Sequence, residues 1–106
     1  MAIFEANKNN YDEQLNAAEY VMVDYYGEHC GACVYTEPYL RAVSNEMSFI
    51  HFVKINITQN PEIAKRYNIV GVPTFQYFHN GKLVHKNSGG MDTAHIHKEL
   101  AEMLYK

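Results

Sequence analysis

The stretch Tyr20-Val21-Met22-Val23-Asp24-Tyr25-Tyr26-Gly27-Glu28-His29-Cys30-Gly31-Ala32-Cys33 decides the fold. Its first seven residues are mostly β-branched and aromatic, as a buried strand requires, and Gly27 punctuates the strand's end. A helix is expected to begin near Cys30. At a helix N-terminus the first backbone N–H groups lack intrahelical partners and the macrodipole is positive, so a thiol there loses its proton more readily than a free cysteine, with its pKa of ~8.5. The thiolate is the reactive form. Two intervening residues leave the second sulfur close enough, in a first helical turn, to close a small disulfide ring after a mixed disulfide with a substrate has formed. Read alone, the pair leaves open redox chemistry, half of a zinc site, or two inert core thiols. A zinc site needs four ligands, and the chain has no second Cys-x-x-Cys.

Working outward, Ile3 to Glu5 reads as a short edge strand, and Asn9 or Asn10 can cap a first helix running through Asp12, Glu13, Leu15 and Ala18. The segment from Cys30 to Met47 places Cys33, Leu40, Val43 and Met47 at helical spacings. Pro38 inside it removes one backbone donor and is expected to kink the helix. Ile50 to Ile57 reads as a strand. Asn60 as N-cap and Pro61 at the first helical position open a short helix through Ile63, Ala64 and Tyr67. Gly71-Val72-Pro73-Thr74 then leads into Phe75–Phe78, an Asn80-Gly81 turn and Lys82–His85, a β-hairpin with the turn chemistry it needs. After Gly89-Gly90, Asp92 caps a last helix with Ile96, Leu100, Met103 and Leu104 on one face. The order β-α-β-α-β-α-β-β-α implies an α/β fold, with a mixed central β-sheet flanked by helices on both faces.

At 106 residues the chain is expected to form a single domain, 1–106, large enough to bury a core without staples. A formal net charge of -3, with lysines and arginines scattered along the chain, does not describe a nucleic-acid binder. No run approaches the ~18 apolar residues of a membrane span. The start, Met1 to Lys8, lacks the basic-then-apolar pattern of a leader, so the chain is expected to be cytoplasmic, where a disulfide is transient and catalytic. A mature exported protein with its leader removed would read the same.

The residues resemble the thioredoxin family over nearly the whole length. The matching segments are Val23-Asp24-Tyr25-Tyr26, Cys30-Gly31-Ala32-Cys33, Pro38, Asn60-Pro61, Gly71-Val72-Pro73-Thr74, Asn80-Gly81-Lys82 and Gly89. A lone Cys-x-x-Cys is weak, but the motif after Val-Asp-Tyr-Tyr with Val-Pro-Thr following is specific in order and spacing. The resemblance implies the thioredoxin fold and protein disulfide oxidoreductase activity. It makes Cys30 the exposed nucleophile and Cys33 the resolving thiol one turn deeper; the residues agree, since Cys33 falls on the face of Leu40 and Val43 and is expected to be the more buried. It implies no bound cofactor beyond a redox-active Cys30–Cys33 disulfide, with protein disulfide substrates and a separate reductase, such as a thioredoxin reductase, as partners. The chain is expected to act as a monomer.

Asp24 lies in an apolar strand, where a carboxylate is costly unless paired or protonated. The resemblance places it behind Cys33 as the proton acceptor during resolution, with Lys54 of the neighbouring strand as its partner. Alternatively, it is an acid on the solvent face opposite Val21, Val23 and Tyr25. Pro73 is expected to follow a cis peptide bond, as in the family's Val-Pro-Thr loop. That loop would face Cys30 and offer the backbone of Val72 to an extended substrate, with Gly89 and Gly90 leaving a flat surface. Alternatively, Pro73 simply starts a strand.

The chain departs from the common thioredoxin pattern at His29, usually Trp, and at Ala32, usually Pro. A protonated His29 would stabilise the Cys30 thiolate; equally, the ring and the adjoining Gly31 and Ala32 can be part of a docking surface. His51, His79, His85, His95 and His97 are scattered, and no metal is assigned. The reading is a cytoplasmic disulfide reductant. A more oxidising oxidase or isomerase, and a binding module whose cysteines are incidental, are its alternatives.

Overall fold

A computed structural model describes residues 3–105; Lys106 lies outside them, as do Met1 and Ala2 of the segment read as lacking a leader. Nine elements follow in the expected order: β1 (Ile3–Ala6), α1 (Tyr11–Leu15), β2 (Tyr20–Tyr26), α2 (Gly31–Glu46), β3 (Ile50–Asn56), α3 (Pro61–Arg66), β4 (Thr74–His79), β5 (Lys82–Ser88) and α4 (Thr93–Leu104). The strands form one mixed sheet in the order β1-β3-β2-β4-β5. β3 runs parallel to β1 and β2, whereas β4 is antiparallel to β2 and β5.

Strand alternation divides the core in two. Met22, Phe52, Phe75 and Tyr77 point to one face and pack with Leu40 and Val43 of α2 and Ile96, Leu100 and Met103 of α4. Val21, Val23, Tyr25, Val53 and Ile55 point to the other and pack with Tyr11 and Leu15 of α1 and Ile63 of α3. Central strand β2 is therefore buried on both faces from Val21 to Tyr25, which accounts for its nearly continuous apolar reading.

Local chemistry explains most of the boundaries. Asp92 caps α4 by accepting the His95 N–H at 2.9 Å. Asn80 and Gly81 both have positive φ, 52° and 80°, the backbone that a tight hairpin turn between β4 and β5 demands. Helix α2 runs through Pro38; the Val34 carbonyl that loses its donor there belongs to an exposed residue, where water can serve it.

Four local expectations are corrected. Helix α1 stops at Leu15 instead of continuing through Ala18, because the Asn16 and Ala17 N–H groups fold back onto Glu13 and Gln14 in tight terminal turns. Strand β5 extends past His85 to Ser88, carried by its pairing with β4. Asn10 and Asn60 stand at the N-cap positions without side-chain capping bonds. Asn10 accepts the Asn7 N–H instead, while Asn60 accepts the Lys8 N–H and donates to the Asn56 carbonyl.

Candidate active site

The end of β2 delivers the chain through Gly27 to His29, whose φ of 57° is left-handed, a conformation that histidine tolerates better than most side chains. That turn sets Cys30 at the N-cap of α2. Its Sγ accepts the Cys33 N–H at 3.2 Å, and the two cysteines form a disulfide with Cα atoms 5.3 Å apart. Both cysteines are half-buried. Cys30 occupies the helix terminus and Cys33 its first turn.

A cleft of about 840 Å³ opens beside the disulfide, lined by Asp24, His29, Cys30, Cys33, Glu37 and Lys54 among others. Gly31 also borders it. Asp24 lies on the α2 face of the sheet and is only 5% exposed, which removes the solvent-facing alternative. Its Oδ1 is fully buried with no hydrogen-bond partner. Burial, followed by the charge of Glu37, pushes its carboxyl up to about 7, with Lys54 opposing.

Lys54 is the register partner of Asp24 on β3, yet it forms no direct ion pair with it among the described residues. The ammonium lies 3.7 Å from Glu5 and 3.8 Å from Glu37, and 5.5 Å from the centre of the Tyr26 ring. The expected partnership is thus corrected: Lys54 acts on Asp24 through its field, because Glu5, its register partner on the other side, and Glu37 hold the charge.

The remaining expected residues lie outside the lining of this cleft and are linked to one another and to α2. The Val72–Pro73 peptide is cis, and the buried Pro73 accepts the Gly89 N–H at 3.0 Å. Gly89 and Gly90 are exposed. Gly90 passes so near α2 that an added Cβ would lie 3.4 Å from the Ala32 carbonyl, the Thr36 hydroxyl and the Tyr35 ring. Val72 packs beside Gly27, where an added Cβ would lie 3.3 Å from it. His29 is exposed and makes no hydrogen bond to either sulfur among the described residues.

Sequence reasoning missed Glu37, Arg41 and Thr36. Glu37 and Arg41 follow Cys33 at i+4 and i+8, a spacing that puts all three on one helix face and could have found them. Thr36 is buried, donates to the Ala32 carbonyl at 2.8 Å and accepts the Met91 N–H at 2.9 Å. No group of three or more His, Cys, Asp or Glu side chains suited to holding a metal ion occurs among the described residues, and no described helix is long and apolar enough to cross a membrane.

The disulfide thus sits at a helix N-terminus with a buried acid in the same cleft, and the cis-proline loop is tied to the same helix through Gly89 and Gly90. The thioredoxin family model matches residues 2–102. The chain is 36% identical over 98 residues to Thioredoxin Y, chloroplastic, of Oryza sativa subsp. japonica, covering 91% of this chain and 58% of that protein. It is 34% identical over 83 residues to Thioredoxin of Mycoplasmoides gallisepticum, covering 78% and 83%. Against Thioredoxin-2 of Pyricularia oryzae the identity is 31%, covering 74% of this chain and 46% of that one. The chain thus spans about half the length of the rice and Pyricularia relatives. A chain solved in work on the thiol resolving mechanism in yeast mitochondrial 1-Cys peroxiredoxin via glutathione/thioredoxin systems shares the fold, with a TM-score of 0.83 at 24% identity, covering 93% and 94%. This chain belongs to the thioredoxin family.

Proposed function

We propose that the chain, folding as one unit over 1–106, is a thiol–disulfide oxidoreductase that reduces protein disulfides in the cytoplasm and is returned to the dithiol by a separate reductase. The observation that carries this reading is Cys30 at the N-cap of α2, where its sulfur accepts a backbone N–H and closes a disulfide with Cys33. In the reduced protein the same N–H and the helix dipole favour the Cys30 thiolate.

The Cys30 thiolate attacks one sulfur of a substrate disulfide, forming a mixed disulfide and releasing the other substrate sulfur as a thiolate, which takes up a proton from water. The Cys33 thiol passes its proton to the Asp24 carboxylate, and its sulfur attacks the Sγ of Cys30. The Cys30–Cys33 bond forms, the mixed disulfide breaks, and the second substrate sulfur leaves as a thiolate that takes up a proton from water. The substrate has gained two electrons and the protein has lost two. No cofactor beyond the cysteine pair takes part. Val72 and Pro73, with Ala32, Gly89 and Gly90, form the rim on which an extended substrate would lie.

Turnover of a protein disulfide substrate with dithiothreitol as electron donor tests the reading. Cys30→Ser should lower it to the uncatalysed rate, and Cys33→Ser, mixed with substrate in the absence of dithiothreitol, should trap substrate as a stable mixed disulfide on Cys30. Turnover above the uncatalysed rate in Cys30→Ser, or no trapped adduct in Cys33→Ser, would contradict it.

A further inference from the structure

We propose that Glu37 is a positioning residue for proton transfer at Asp24: paired with Lys54, it keeps that ammonium off the buried carboxyl. The proposal rests on the reading of Asp24 as the proton acceptor for Cys33, and its geometry is independent of that reading.

Glu5, Lys54 and Asp24 are consecutive register partners across β1, β3 and β2, so an acid flanks the lysine on either side. All three side chains share the α2 face of the sheet. An ammonium between two carboxylates would ordinarily be shared by both. Here a third carboxylate decides the balance, because Glu37 lies one turn beyond Cys33 on α2 and reaches Lys54 at 3.8 Å while Glu5 holds it at 3.7 Å. Arg41, a further turn along, pairs with Glu37 and steadies it over the cleft. Asp24 is left with an unpartnered buried oxygen.

The charged and titratable groups around Asp24 are Glu37 and Arg41 from α2, Lys54 from β3, Glu5 from β1 and Tyr77 from β4, with Tyr26, Glu28 and His29 at the end of its own strand. Only Lys54 stands as its register partner with opposite charge. Removing the Glu37 charge therefore acts in one direction by two routes. It takes away a like charge, and it frees Lys54 to turn toward Asp24; both favour the carboxylate.

The test follows the Asp24 carboxyl by carbon-13 NMR in the oxidised protein. Its titration midpoint should fall in Glu37→Gln and stay close to wild type in Glu37→Asp. Resolution of a preformed mixed disulfide at pH 6, below the wild-type midpoint, should be faster in Glu37→Gln by roughly two- to threefold, as removal of one partly screened charge implies. In a Lys54→Met background the effect of Glu37→Gln should shrink. An unchanged midpoint in Glu37→Gln overturns the proposal, and an undiminished effect without Lys54 overturns the lysine's part in it. A midpoint that falls while the resolution rate stays constant contradicts the assignment of Asp24 to Cys33 and leaves the Glu37 coupling standing.

Discussion

The hydroxyl of Thr36 accepts the backbone N–H of Met91 at 2.9 Å and so ties the chain just after Gly90 to the first turns of α2, beside the disulfide. The same oxygen donates to the Ala32 carbonyl, which uses its proton within the helix and leaves its lone pairs for the loop.

Thr36→Val keeps the side chain's shape and strands the buried Met91 N–H, so it should cost about 1–3 kcal/mol of stability. Thr36→Ser should recover most of the loss. Urea melts measure the cost, and amide exchange at Gly90 and Met91 should accelerate selectively in the valine variant. A valine variant as stable as wild type would show that the bond does not anchor the loop.

Asp24 makes stability depend on pH. Its carboxyl is raised from 3.8 to about 7 in the folded chain, chiefly by burial, so the folded state holds its proton more tightly than the unfolded state does. Stability from this group is present in full below about pH 4 and is lost as pH rises through 7; the full difference is on the order of 4 kcal/mol. Asp24→Asn should therefore be more stable than wild type at pH 8 and similar to it at pH 4. Denaturant midpoints across that range check the sign, and a stability difference that does not grow with pH would contradict the buried acid.

What could be read in the sequence was local. The Asn80-Gly81 turn and the Asp92 cap are written in neighbouring residues, and each stands where expected. The Cys-x-x-Cys motif likewise announced its own helix terminus. What escaped depends on residues distant in the chain. Asn60 has the composition of a cap, but its side-chain oxygen accepts the Lys8 N–H from far along the chain, a contact that exists only once β1 and β3 have paired. The partners of Lys54 come from β1 and α2, and a pairwise match to Asp24 could not weigh three carboxylates competing for one ammonium. Polar Asn87 and Ser88 continue β5 because Phe75 and Thr74 stand opposite them.

Helix α3 ends in a motif with its own test. Asn68 has φ 56°, the Ile69 N–H donates to the Ala64 carbonyl at 2.8 Å, and the Asn68 N–H donates to the Lys65 carbonyl at 3.4 Å. This is the double bond of a left-handed helix stop, where glycine is preferred and asparagine tolerated. Asn68→Val should destabilise by about 1–2 kcal/mol, the cost of a left-handed backbone for a β-branched residue, while Asn68→Gly should be neutral or slightly stabilising. Thermal melts of the pair decide it, and equal stability of both variants would remove the backbone argument.

Cys30 and Cys33 are both half-buried, and their different positions on the helix give their reactivities a reason to differ apart from access. Cys30 sits at the N-cap, where its sulfur accepts the Cys33 N–H and faces the positive end of the dipole; Cys33 lies inside the first turn. In the reduced protein at pH 7, a limiting alkylating reagent should label Cys30 about tenfold faster, in proportion to its larger thiolate fraction. The cause makes a second demand on the data. As pH rises until both thiols are ionised, the thiolate advantage disappears and the labelling ratio should fall toward one. A ratio independent of pH would mean that access controls the rates after all, and peptide mapping that found Cys33 labelled first would reverse the roles of nucleophile and resolving thiol.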